Sequence, residues 1–207
     1  MLKKFCLLIL FCTNMSLHVQ RDTREIFNAA GIESIDILTN EVFKITITAT
    51  NTDRIRLITH SEGEYFNQIL VQTKVDNGNL CIRTSYPQEL TGGFDKLSAH
   101  KVFSLELELE IPKDLEISVD SNIASLIAFG SFSQLTANLK DGYCNLREFA
   151  GNATINTYEG NIRVETASGL VEAVSRNGKV EIPEHFSGRN PIKLKSIDGN
   201  ILVLKTK

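Results

Sequence analysis

Apolar and polar residues alternate along most of the chain with a period of two. In the segment 100–112, for example, Leu105 and Leu107 would share one face, and Glu106 and Glu108 would share the other. Successive side chains of a β-strand point to opposite faces, so this pattern predicts strands with one buried face. Strands are predicted in this way at 33–38, 42–49, 54–59, 68–75, 79–84 and 100–112.

Three segments of this first half interrupt the strand pattern. A short helix is expected at 22–31, and the longest interruption, at 86–99, is expected to be an exposed loop. The pair Asn77-Gly78 favours a tight turn between two strands, because both residues tolerate a positive φ.

A nine-residue spacing of glycines begins after the predicted strands become shorter and more regular, at about residue 115. The glycines in this register are Gly142, Gly151, Gly160, Gly169 and Gly178. The residues two and four positions after each glycine are apolar, and the residue three positions after it is polar. Each unit therefore predicts a short strand with two inward side chains, followed by a turn. We expect the five glycines to be structural turn residues that supply a positive φ at each corner.

A fixed period of short strands is the signature of a solenoid, in which each unit packs on its neighbours. Two nine-residue units would form a flattened coil of about 18 residues, whose strands stack about 4.8 Å apart. The sequence therefore predicts an all-β solenoid, with less regular β coils at 32–115 and regular coils at 116–207 in a single domain at 21–207. Residues 192–204 would form a capping coil. A meander of β-hairpins is the alternative.

The N-terminus has the layout of a secretory signal peptide, which we predict at residues 1–20. Lys3 and Lys4 precede an apolar run at 5–12, and a short, more polar segment follows. The run is too short to cross a bilayer, which needs about 20 residues, so no transmembrane helix is expected. Lipidation of Cys12 is the alternative to simple cleavage. The protein is expected in the periplasm, on the outer-membrane surface or outside the cell.

Composition and charge narrow the classes of partner. The net charge of −3 becomes −5 when the two lysines of the leader are removed, and no basic block is present, which argues against nucleic acid. Only Cys81 and Cys144 remain after the leader. Two free thiols or one disulfide between them are both compatible with the sequence.

No residues show a spacing that is specific for catalysis or metal binding. His60, His100 and His185 lie far apart in the sequence, and calcium sites in glycine-rich β-rolls need an aspartate and several glycines in each turn. Glu172 and Glu181 share an offset in the nine-residue count and would be the candidate carboxylates of a polysaccharide-cleaving enzyme. A solvated face of mixed charge explains them equally well. We expect no catalytic, cofactor-binding or metal-binding residues, and no cofactor.

Three stretches, at 95–119, 130–166 and 174–182, carry a resemblance to a known family. On these stretches the chain resembles the bacterial putative-adhesin family, a group of exported domains of unknown function that are common in Bacteroidetes. The resemblance covers most of the chain after the leader. It implies a single-stranded right-handed β-helix, and it transfers no active-site residues because none is established for the family.

These observations favour an exported, non-enzymatic, adhesin-like protein of a Gram-negative cell envelope. Flat polar faces would bind an unidentified macromolecule, a cell surface or a glycan. One alternative is a glycan-binding or polysaccharide-active β-helix with a cryptic site. Another is a self-assembling structural module that associates through the ends of its solenoid.

Overall fold

The computed structural model describes residues 20–63, 70–85 and 103–206, and this part of the chain is all-β, without helices. Residues 1–19 of the predicted leader and the loop predicted at 86–99 lie outside the described residues. The strands are β1 (Gln20–Asn28), β2 (Ser34–Thr39), β3 (Lys44–Thr50), β4 (Arg54–Gly63), β5 (Leu70–Asp76), β6 (Asn79–Ser85), β7 (Phe103–Pro112), β8 (Glu116–Ser121), β9 (Ser125–Leu139), β10 (Cys144–Thr157), β11 (Ile162–Thr166), β12 (Leu170–Ser175), β13 (Val180–Glu181), β14 (Pro191–Ser196) and β15 (Ile201–Lys205).

The six strands predicted from the period of two are confirmed, but the helix predicted at 22–31 is wrong. That segment contributes most of β1, which pairs antiparallel with β4. Phe27 packs against the core while its neighbour Ile26 stays exposed, as a strand requires. The edge of β4 supplies hydrogen-bond partners for the backbone of β1, and this tertiary pairing overrides a local preference for helix.

The strands form two paths that share β9 and β10. Path A runs β1-β4-β7-β3-β9-β10-β11-β15-β13, and path B runs β5-β6-β2-β8-β9-β10-β14-β12. The first halves of β9 and β10 belong to path A and their second halves to path B. All pairings are parallel except those that β1, β4 and β5 make. Parallel pairing from β8 onward excludes the meander of hairpins.

From β8 to β11, paired residues on neighbouring parallel strands are 18 positions apart in the sequence, but the separation changes at β14. Ala153 pairs with Leu135, which lies 18 positions earlier, but on its other side it pairs with Ile192, which lies 39 positions later. β14 and β15 therefore lie between β10 and β11 on one side and β12 and β13 on the other. The prediction that 192–204 forms a capping coil is wrong, because this segment is an interior layer.

Burial explains which strands occupy the interior layer. In β14 and β15 the inward residues are fully or almost fully buried, and they are large aliphatics, namely Ile192, Leu194, Ile201 and Val203. In β12 the inward residues are Val171 and Ala173, which are only partly buried and are smaller than their partners on β14, Ile192 and Leu194. Because burial of apolar area drives packing, the strands with the larger apolar side chains lie inside and β12 and β13 form the outer layer.

The apolar positions of the nine-residue count face inward, as predicted, from Cys144 to Val164, whereas Val180 and Ile182 are about 40% exposed. Cys144, Leu146, Ala153 and Ile155 are buried, and the polar residues between them lie outside. Both described cysteines are free thiols, and Cys144 is fully buried. Burial raises the pKa of the Cys144 thiol to about 12, so this side chain acts as a small core residue.

Candidate functional site

A hydroxyl residue ends most strands of path B and holds the turn that follows. In four turns the backbone N–H three residues later donates a hydrogen bond to this hydroxyl. These pairs are Val42 to Thr39 (3.3 Å), Ala124 to Ser121 (3.0 Å), Gly178 to Ser175 (2.9 Å) and Gly199 to Ser196 (2.8 Å). At Thr157 the direction is reversed, since its hydroxyl donates to the carbonyl oxygen of Gly160 at 2.6 Å. The turns therefore share one geometry and stack on one another.

The close stacking of these turns explains why glycine occupies them. A Cβ atom on Gly142 would lie 1.7 Å from the carbonyl oxygen of Ala124, and one on Gly160 would lie 1.8 Å from that of Gly142. At Gly178 the corresponding distance, to Gly199, is 2.2 Å. A side chain is excluded at these three positions because each of these turns lies directly against the backbone of its neighbour in the stack.

The expectation that all five glycines supply a positive φ is confirmed at Gly151 and wrong at the other four. Gly151 has a φ of +122° and lies at an irregularity within β10 rather than in a turn between strands. The other four do not have a positive φ, and they are Gly142, Gly160, Gly169 and Gly178. Close approach to another backbone is the reason for glycine at Gly142, Gly160 and Gly178, whereas at Gly169 the nearest atom to an added Cβ is the side-chain end of Ile192, Cδ1, at 2.6 Å.

Two rows of side chains flank the stacked turns and form an open groove of about 690 Å³, which we name the corner groove. The first row holds the last outward side chains of the path B strands, Leu38, Asp120, Asn138 and Asn156. The second row holds the first residues of the turns, Asn40, Asn122, Lys140, Tyr158 and Ile197. Arg83 and Thr84 of β6 line one end. From β6 to the turn after β14 the groove crosses six strands, a length of roughly 24 Å at about 4.8 Å for each step.

Hydrogen bonds connect three side chains of the first row, which we name the amide ladder (Asp120, Asn138 and Asn156). Asn138 Nδ2 donates to Asp120 Oδ1 at 2.7 Å, and Asn156 Nδ2 donates to Asn138 Oδ1 at 2.9 Å. The three residues are in register on β8, β9 and β10. Each bond uses one N–H of its amide and leaves the second N–H for another partner. The ladder therefore fixes the side-chain rotamers and keeps hydrogen-bonding capacity.

The second wall of the groove is held by backbone hydrogen bonds between successive turns. Asp141 N donates to the carbonyl oxygen of Asn122 at 2.9 Å, and Glu159 N donates to that of Lys140 at the same distance. Asp198 N donates to that of Tyr158 at 2.8 Å. The backbone hydrogen bonds between strands thus continue through the turns and hold the second wall in place, as the amide ladder does for the first wall.

Among its described lining residues, the corner groove has mixed charge and one exposed aromatic ring. Its charged lining residues are Arg83, Lys140 and Asp120, and its ring is that of Tyr158, which is 47% exposed. Tyr143 is similarly exposed, at 44%, but it does not line the groove. The lining can thus donate and accept hydrogen bonds and also offers a small apolar surface.

The outer face of path A carries a second group of charged side chains, and these bind one another. The contacts are Lys44 with Glu106, Arg56 with Glu110 (2.8 Å), His60 Nδ1 with Asp22 Oδ1 (2.9 Å) and His60 Nε2 with Glu108 Oε2 (3.6 Å). The hydrogen bond with Asp22 raises the pKa of His60, and Glu108 adds to this effect. The hydrogen bond with Glu106 raises the pKa of Lys44. These contacts connect four neighbouring strands and give the cluster a structural role.

The residues considered as a carboxylate pair, Glu172 and Glu181, are not neighbours in either sheet path. Glu172 lies on β12 opposite Lys193, and Glu181 lies on β13 opposite Leu202. Strands that are nine positions apart in the sequence belong alternately to path A and path B. Two residues nine positions apart, such as Glu172 and Glu181, therefore lie on different paths although they occupy the same place in the nine-residue count. Within the described residues, no group of three or more His, Cys, Asp and Glu side chains could hold a metal ion. The same part of the chain has no helix that could cross a membrane.

Comparison with known proteins gives a match at the level of the fold. No protein-family profile matches the chain, and no curated protein matches it. The crystal structure of a "putative cell adhesion protein" from Clostridium sporogenes superposes with a TM-score of 0.67 at 15% identity, over 91% of this chain and all of that one. A "putative adhesin" from Bacteroides fragilis covers 89% of this chain and 97% of its own, with a TM-score of 0.40 at 12% identity. The chain thus has the fold of the clostridial protein.

The residues of the amide ladder were not predicted from the sequence. The nine-residue pattern was defined by the residues that come after each glycine, whereas Asn138 and Asn156 come four positions before Gly142 and Gly160. Asp120 lies in the same position relative to Ala124, which takes the place of a glycine. Spacing by 18 positions was therefore the available signal for these three polar residues.

Proposed function

We propose that this protein is an exported, adhesin-like binding protein without catalytic activity, and that the corner groove is its binding surface. The amide ladder is the observation that carries this proposal. It presents ordered amide and carboxylate groups along an open groove, which favours recognition of an extended partner. The fold shared with a clostridial protein named for cell adhesion agrees with this role.

A right-handed, single-stranded β-helix with coils of about 18 residues is the architecture that we infer for the C-terminal half. Parallel partners 18 positions apart alternate between the two paths, as they do when one chain winds around a flattened core. The antiparallel strands β1, β4 and β5 close the N-terminal end of this stack. In this architecture the corner groove runs along the axis of the helix.

The absence of catalysis is part of the proposal and follows from the groove chemistry. Asp120 is the one carboxylate among the described residues that line the groove, and it accepts a hydrogen bond from Asn138. Hydrolysis of glycosides generally needs two carboxyl groups on opposite sides of the scissile bond. An open groove with one acid is suited to binding rather than to bond cleavage.

The proposed function is tested by binding of the mature protein, residues 21–207, to intact bacterial cells and to envelope fractions. We expect saturable binding that is reduced at least about tenfold by the double substitution Asn138→Ala/Asn156→Ala, since it removes two groups from the centre of the surface. Arg163→Ala is the matched control, because Arg163 is an exposed polar residue on path A. Equal binding by both variants would place the surface elsewhere and contradict the proposal.

Self-association through the outer layer is a second candidate role, favoured by a cluster of exposed apolar residues. Leu170 and Val174 on β12 are 56% and 63% exposed, and Val180 and Ile182 nearby are about 40% exposed. Glu172 is the one charged residue of β12. Exposed sheet edges are usually protected by charges, and β1 at the opposite end has four of them. We infer that a second copy pairs with β12 at this end.

The second candidate role is tested by sedimentation of the mature protein over a range of concentrations. We expect a dimer that Val174→Lys converts to a monomer. Ile26→Lys is the control, since Ile26 is 55% exposed on β1 at the opposite end, and we expect it to leave the dimer intact. A wild-type protein that stays monomeric at every concentration would exclude this role.

A further inference from the structure

We propose that the corner groove binds a linear glycan chain. This inference rests on the proposed function and names the class of partner. The length of the groove is its first support. The groove is open to solvent and crosses six strands over roughly 24 Å. A ligand that uses the whole groove must be an extended polymer that lies perpendicular to the strands.

The hydrogen-bonding groups of the groove match sugar hydroxyls. Each hydroxyl is both a donor and an acceptor, so it can pair with the free N–H of an amide and with the oxygen of a neighbouring side chain. Asp120, Asn138 and Asn156 provide such groups on adjacent strands, about 4.8 Å apart. A sugar ring has about the same length, and successive rings of a linear chain can therefore meet successive rungs.

The apolar part of the groove matches the faces of sugar rings. Tyr158 is half exposed at the end of the amide ladder, with Ile197 beside it in the lining. A pyranose ring has one face of C–H groups, and a flat aromatic ring with a polar tip packs against such a face. Hydrogen bonds along the ladder would position the chain, and stacking on Tyr158 would add affinity.

Two other kinds of polymer fit the groove less well. An extended peptide would gain affinity by adding a strand to a free sheet edge, but β2, β8, β9 and β10 are paired on both sides along the groove. A nucleic acid would need a row of cations for its phosphates. The groove offers Arg83 and Lys140, separated by the carboxylate of Asp120.

The test uses the mature protein and immobilised linear oligosaccharides of two to eight sugar units, both neutral and acidic. We expect binding that strengthens with chain length until the groove is filled, at about five units when each spans one strand spacing. Tyr158→Ala should weaken binding about tenfold, as truncation of an aromatic anchor in an interface does. Tyr143→Ala should leave it within about twofold, because Tyr143 is equally exposed but lies outside the groove.

The outcomes separate this inference from the proposed function. Glycan binding that depends on Tyr158 and on Asn138 supports the inference. A second outcome is binding to cells that requires Asn138 and disappears after protease treatment of the cells, with no binding to glycans. This result would overturn the assignment of a glycan as the partner and would leave the adhesive function supported. Glycan binding that Tyr158→Ala and Asn138→Ala leave unchanged would overturn the assignment of the site. Failure to bind either cells or glycans would overturn both proposals.

Discussion

The backbone of Gly178 lies against that of Gly199, which follows it by 21 positions in the chain. A Cβ atom on Gly178 would lie 2.2 Å from the carbonyl oxygen of Gly199, whereas one on Gly199 would lie 2.0 Å from that of Gly160. The order of turns in the column is therefore Gly160, Gly199 and Gly178. Among the described strands, β12 and β13 pair only with β14 and β15, which connect them to β10 and β11. Their parallel pairing thus depends on strands that come later in the sequence.

We predict that a core substitution in β14 destabilises the protein as strongly as one in any central strand. Leu194 is fully buried, and Leu194→Ala should lower the free energy of unfolding by about 2–5 kcal/mol. Val174 on β12 is 63% exposed, and Val174→Ala should change it by about 0.5 kcal/mol or less. Urea denaturation of both variants measures the difference. A mild effect of Leu194→Ala would show that β14 is a peripheral cap.

Steric exclusion at Gly160 and backbone strain at Gly31 predict different responses to substitution. Gly160→Ala should cost about 1–3 kcal/mol or more, because its Cβ would meet the carbonyl oxygen of Gly142 at 1.8 Å. Gly31 has a φ of +80° and open space around it, so Gly31→Asn should be tolerated better than Gly31→Ala. Melting temperatures of the four variants, including Gly160→Asn, provide the measurement. Rescue by asparagine at position 160 would contradict the steric explanation.

The strands and their buried faces could be predicted from the sequence because both depend on local alternation. Ile45 and Ile47 face the core because they occupy alternate positions of a strand, and so do Cys144 and Leu146. The order of layers could not be predicted in the same way. The nine-residue count continues unchanged through Gly169 and Gly178, although the strand between them lies one layer further out than the count implies. A local pattern fixes which face is buried, but packing among distant strands decides which layer a strand joins.

The corner groove could not be predicted from the sequence for a related reason. Its residues are polar and lie at the ends of strands, where the sequence pattern alone treats them as solvated turn residues. Asn138 and Asn156 become neighbours only because strands 18 positions apart pair in register. The positions of Gly142, Gly160 and Gly178 in the stacked turns were predicted, but the place of Gly199 between Gly160 and Gly178 was not. The cause was also missed, since a close approach between two turns depends on the stack rather than on the φ of either residue.

The pair of His60 and Asp22 predicts a stability that depends on pH. Because the pKa of His60 is raised in the folded protein, the stabilising effect is fully present below the unfolded value of about 6.5 and is lost as pH rises through the folded pKa. The stability difference between wild type and His60→Gln should therefore be larger at about pH 6 than at about pH 9. Denaturation curves at the two pH values measure it. A difference that is the same at both would indicate that the ring contributes by packing alone.

Export is predicted to remove about 20 residues from the N-terminus. The basis is the basic, apolar and polar order of residues 1–20. Mass spectrometry of the protein isolated from its native host should find a mature N-terminus near residue 21. An intact Met1, or a lipid on Cys12, would contradict this prediction.

The groove is predicted to bind without cleaving. Retaining and inverting glycosidases place two carboxyl groups about 5–9.5 Å apart. Glu172 and Glu181 lie on different sheet paths, and Asp120 is the one acid among the described residues of the groove lining. We therefore expect no release of reducing ends from any polysaccharide that the wild-type protein binds, measured with the same preparation that shows binding. Asp120→Asn keeps the shape of the side chain and its acceptor oxygen for Asn138, so this variant should retain most of the affinity. Turnover by the wild type that disappears in Asp120→Asn, or in Glu172→Gln/Glu181→Gln, would establish an enzyme instead.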